Sequence, residues 1–173
     1  LNPSSAASDV YKRQHLFFKF QSATVPNIRS LLDAFPETPW LFVYRDPVQT
    51  MMSHFKNGVG NGPCLRQRRS PPPATIKILK AESASKASRV PPENYCAAHL
   101  AMLTSSALDA DGSSDRGLLV DYASMPGALE AYVFPKHFGL SLAPEDALRT
   151  HAASSVYSKA VSYTHLRAHE TRI

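Results

Sequence analysis

The feature that most constrains this chain is the run Trp40-Leu41-Phe42-Val43-Tyr44, followed at once by Arg45-Asp46-Pro47. Five β-branched, aromatic or aliphatic residues with prolines on either side predict a strand. Asp46 offers an N-cap, and Pro47 suits the first helical position, where its missing N–H costs nothing. Val48, Met51, Met52 and Phe55 then recur at i, i+3, i+4 and i+7, predicting an amphipathic helix that Asn57-Gly58 ends. A strand that passes directly into such a helix belongs to a parallel sheet with covering helices.

The neighbouring segments extend the pattern. Leu16–Phe20 (LFFKF) predicts a buried strand, and Pro26 opens a helix carrying Ile28, Leu31, Leu32 and Phe35 until Pro36 stops it. A longer helix is predicted from roughly Glu93 to Leu108, with Tyr95, Ala98, Met102 and Ser105 on one side. Asp111-Gly112 is a turn, and Leu118–Tyr122 (LLVDY) predicts another strand. Ser124 with Pro126 caps a helix through Leu129, Tyr132 and Val133, closed by His137-Phe138-Gly139-Leu140. Ala143-Pro144-Glu145-Asp146 starts a short final helix. The expected fold class is α/β: one domain, with a parallel sheet covered by helices on both faces.

Residues 58–92 differ in character, with Arg66, Arg68, Arg69, the triple proline Pro71 to Pro73 and a Lys/Ser/Ala-rich stretch. They predict a surface insertion or mobile lid. Basic residues here raise the question of nucleic acid, but no aromatic interleaves the arginines for base stacking, so a solvated loop is expected. The two ends, 1–14 and 161–173, resemble translated adapter sequence joined to a fragment and carry no apolar period that would dock them on a core. Leaving them out removes four basic and two acidic residues and lowers the net charge from +5 to +3. His165 and His169, four apart, fall in the second of these ends.

Composition excludes more than it assigns. A hydrophobic share of 43% over 173 residues supports a real core, and no apolar run is long enough for a membrane span. Cys64 and Cys96 allow at most one disulfide, and no zinc constellation is expected from their spacing. Seven glycines with no suitable cluster argue against a kinase-like phosphate loop.

The chemistry is expected where the first strong strand ends. Ligands of open α/β sheets bind beyond the carboxyl ends of the strands, where Arg45 leaves the strand and the next helix directs its free N–H groups. Ser53 lies eight residues after Arg45, off the apolar stripe and near Gln49 in projection. A guanidinium with a helix N-terminus can cradle a phosphate. The competing reading is a surface Arg45–Asp46 pair beside a solvated Ser53. His54 reads as a core-edge histidine, Met51 and Met52 as core fillers, and Asp121 as a turn cap. His99, His137 and His151 have no sequence partner.

The block WLFVYRDPVQTMMSHF, from Trp40 to Phe55, resembles the sulfotransferase segment that binds the 3′-phosphate of 3′-phosphoadenosine 5′-phosphosulfate (PAPS). Arg45 and Ser53 match that family pattern residue for residue. Ala34-Phe35-Pro36, Leu119-Val120-Asp121-Tyr122, Phe138-Gly139-Leu140 and Ser154–Lys159 are similar to further family segments in the same order. The resemblance implies a P-loop nucleoside-triphosphatase-like fold and transfer of a sulfuryl group from PAPS to an acceptor hydroxyl or amine. It implies Arg45 and Ser53 on the 3′-phosphate, Tyr122 near the adenine, and Lys19 near the transferred group. Residues 15–160 would then be an incomplete sulfotransferase domain. The family's Lys-Ser/Thr-Gly-Thr loop and its Arg-Lys-Gly segment have no match, and Gln21 stands where many members place a basic histidine. A truncated, inactive nucleotide-binding fragment and a kinase-like protein are the alternatives.

Overall fold

The computed structural model describes residues 15–155 except 57, 59, 61 and 126, with side chains described through 152. The two ends read as foreign, and the side chains of Ser154–Lys159, lie outside the described residues. The chain is mixed α/β and mostly helical. Strands β1 (Trp40–Tyr44) and β2 (Gly117–Asp121) form a two-stranded parallel sheet. The helices are α1 (Ile28–Ala34), α2 (Pro47–Phe55), α3 (Pro73–Ile78), α4 (Ala84–Ala87), α5 (Pro92–Asp111), the π-helical α6 (Leu129–His137) and α7 (Pro144–Ser155).

Local chemistry explains the elements that position the sheet edge. The register pairs Trp40 with Gly117 and Tyr44 with Asp121, so both strands end at the same level. Gly117 is required there: a Cβ would stand 2.5 Å from a Trp40 ring carbon and 2.6 Å from Asp111 Oδ1. At the start of α2 the Asp46 carboxylate accepts the Gln49 N–H at 2.8 Å, with Pro47 in the first turn. Met51 and Phe55 face inward, whereas Val48 and Met52 are exposed, so the expected apolar stripe is split between core and solvent.

Two cores result. One is built along α5, with Cys64, Leu65, Tyr95 and Cys96 buried and Met51, Phe55, Leu79 and Val90 packed around them. The other lies between the sheet and α6, where Val120, Ala128 and Val133 meet Leu41, Leu118 and Phe138. Pro135 sits inside α6 without an N–H to donate, and the turn is widened, with Phe138 N–H bonding Val133 O at 2.9 Å. Gly139 follows at φ +63°, where glycine is favoured.

Several expectations need correction. Leu16–Phe20 is not a strand: it has no regular structure, and Leu16 and Phe18 are 79% and 72% exposed. A strand exists through its hydrogen-bonded neighbours, and among the described residues the sheet stops at β1 and β2. The phenylalanines find other rings instead: Phe17 meets Phe138 edge-on at 5.3 Å, and Phe18 stacks near Phe20. Tyr122 begins a 3-10 turn rather than ending β2. Ser105 is exposed, so the buried face of α5 runs instead through Tyr95, Cys96, Ala98, His99, Met102 and Leu103.

The 58–92 segment is not a solvated loop. Cys64, Leu65, Thr75 and Ala87 are buried, and Arg68 Nη2 donates to Val90 O at 2.6 Å. A Cys64–Cys96 disulfide ties the segment to α5. Burying these side chains outweighs the polar composition that suggested solvation.

Candidate functional site

Because β1 and β2 are parallel and end in register, the residues that follow them emerge at one edge. Arg45 and Tyr122 are those residues, and the Arg45 guanidinium carbon lies 5.7 Å from the Tyr122 ring centroid, a cation–π distance. They share a cleft of about 530 Å³ with Tyr44, Asp46, Gln49 and Asp121. Arg45 Nε and Nη2 both donate to Gln49 Oε1, at 3.1 and 3.0 Å. A neutral amide thus sets the plane of the guanidinium. Its fork, with a half-exposed phenol beside it, is suited to a phosphate on one side and a planar ring on the other.

The carboxylates temper that character. Asp46 takes the Gln49 N–H, so one helix amide expected to face an anion is already occupied. Asp121 caps the turn as expected, accepting the Ala123 N–H at 2.9 Å. An anion in this cleft must therefore bind Arg45 beside two carboxylates, which limits its affinity unless another cation joins. A larger hollow of about 770 Å³ lies beside Arg29, Asp33, Asp111 and Asp115. Its acidic lining suits a phosphate less well.

Of the four residues singled out from the sequence, Arg45 and Tyr122 are brought together. Ser53 is exposed on α2, one turn beyond Gln49 on the same face, and does not line the cleft. Lys19 lies in the irregular segment before the first helical turn and does not line the cleft either. Gln49, which orients the arginine, carried a signal in its i+4 spacing from Arg45.

A second cluster was not anticipated. His54 at the end of α2, Cys64 and Cys96 bring one ring nitrogen and two sulfurs within 4.8 Å of one another. His99 lies one turn after Cys96 on α5, 7% exposed, with Nδ1 buried and unpartnered among the described residues. Burial, and then the nearby His54, hold the His99 imidazole below its ordinary pKa of about 6.5. The Tyr95 phenol is pushed up by burial, against the pull of Arg68. Three-residue spacing of Cys96 and His99 on a helix was the available signal. Nothing in the spacing of His54 and Cys64 pointed to their meeting.

No protein-family model, curated protein or solved structure matches the chain.

Proposed function

We propose that this chain is part of a PAPS-dependent sulfotransferase whose nucleotide site is the cleft at the sheet's carboxyl edge. The observation that carries the reading is the meeting of Arg45 and Tyr122 where two parallel strands end together. Arg45 would bond the donor's 3′-phosphate, with its fork held by Gln49, and Tyr122 would stack on the adenine. Ser53, on the Gln49 face of α2, would reach the same phosphate as it closes over the helix. The two strands would form part of a larger nucleoside-triphosphatase-like sheet, and Lys19 would stabilise the transferred group once its segment joins that sheet.

In the reaction the acceptor oxygen or nitrogen bonds the sulfur as the bridging bond to the 5′-phosphate breaks, and the acceptor proton passes to a base. Gln21 cannot serve as that base, because a carboxamide takes no proton near neutral pH. A second reading is supported by the cleft's single cationic residue among its described lining: the chain as given binds nucleotide without turnover.

Calorimetric titration with adenosine 3′,5′-bisphosphate tests the site. Arg45→Ala is expected to weaken binding by about 10- to 100-fold, as loss of charge-assisted hydrogen bonds does. Equal affinity in the parent and the variant removes Arg45 from the site. Binding without sulfuryl transfer favours the second reading.

A further inference from the structure

We propose that Cys64 and Cys96, once reduced, form with His54 a binding site for a zinc-class divalent cation. The three ligand atoms already lie within 4.8 Å of one another, although they come from three separate parts of the chain. His54 ends α2, Cys64 lies in the 3-10 turn Pro63–Leu65, and Cys96 is on α5. Two sulfurs and one imidazole are the donors that zinc prefers and that magnesium and calcium do not. Both cysteines are buried, with Leu65, Tyr95, Met51 and Phe55 around them. Two thiolates balance the charge of a divalent ion, so the loaded site is neutral and suits an apolar surround. The fourth tetrahedral position is left to water.

The disulfide and the metal site are alternative states of the same crosslink. A dithiol reductant delivers two electrons and two protons to the S–S bond, leaving two thiols and an oxidised cyclic disulfide. The cation then displaces both thiol protons. The disulfide ties the 58–92 segment to α5, and a bound cation would keep that tie when the bond is reduced.

The full chain, reduced and freed of metal, is titrated with Co²⁺ and then Zn²⁺. The expected result is one tight equivalent with a thiolate-to-cobalt charge-transfer band, which Zn²⁺ displaces. The oxidised chain retains every histidine, including the His165/His169 pair, so it reports binding that does not involve the thiols. Equally tight binding by the oxidised chain overturns the proposal, as does the absence of a stoichiometric thiolate complex. His54→Ala is expected to weaken the reduced chain's affinity on the order of 100-fold. An unchanged affinity in that variant, with its circular dichroism intact, also overturns it. Should the variant fail to fold, alkylation of the unaltered reduced chain decides. Zn²⁺ must slow modification of Cys64 and Cys96 together, and protection of neither or of only one rejects the site.

Discussion

The α5 side of the molecule and the sheet side each bury a core, but they differ in how many large apolar residues they leave exposed. Along α5, Tyr95, Cys96 and Met102 are almost fully enclosed, and the 58–92 segment is held over them by Cys64. At the sheet, Val43, Tyr44, Val48 and Met52 stay exposed, and so does the phenylalanine run at residues 17–20. The difference shows what a crosslink and a long helix accomplish that two strands cannot. A helix satisfies its own backbone and needs only one buried face, whereas a strand pair leaves two open edges. The candidate nucleotide cleft lies on the less enclosed side.

The largest expected effect breaks the crosslink. Reducing Cys64–Cys96 in the presence of a chelator should cost about 3–4 kcal/mol, from the lost loop constraint over a separation of 32 residues. Denaturant midpoints of the oxidised and reduced chains measure it, and equal midpoints would mean that the α5 side does not depend on the bond. Gly117→Ala should cost about 1–3 kcal/mol, because its methyl meets the Trp40 ring and Asp111. Gly112→Ala, where the nearest atom is 3.5 Å away, is the control and should change little. If both are neutral, Trp40 does not lie over β2 and the sheet side is looser still.

A smaller effect follows from His99. Its proton affinity is depressed in the folded chain, so below about pH 6.5 the unfolded chain binds more protons. Stability should therefore rise as pH increases toward about 6.5, level off above it, and fall on acidification. His99→Gln should flatten that slope in urea titrations, and an unaltered slope assigns the dependence to another group. The smallest effect is expected at the exposed run: Phe18→Ser should change stability by no more than about 0.5 kcal/mol. A loss of several kcal/mol would show that this run is packed, and would remove the contrast between the two sides.

Much of the architecture was legible in residue patterns. The β1 run, the Asp46-Pro47 start of α2, the long α5, and the Gly139 end of α6 all follow from local rules, and the structure agrees. Arg45 was legible as a residue at a strand's end, and the register with β2 then brought Tyr122 beside it. The positions of Lys19 and Ser53 relative to the cleft were not legible, because neither strand pairing nor helix rotation is encoded in spacing alone. The burial of the 58–92 segment was hidden by its arginines and prolines, which mark polarity but not what the intervening Cys64, Leu65 and Thr75 cover.

By itself, the sequence determined β1, the start of α2 and most of α5, where a proline, a cap or a glycine coincided with an apolar period, but it did not reveal α3 and α4, whose Pro73 start and Ser83 cap lie in a polar stretch. It also determined that an arginine leaves the first strong strand. Only the tertiary structure decided that Leu16–Phe20 lacks a ladder, that Val48 and Met52 turn outward, and that His54 meets two cysteines. Those outcomes depend on contacts between residues far apart in the chain, and such contacts depend on which partners are present to be paired.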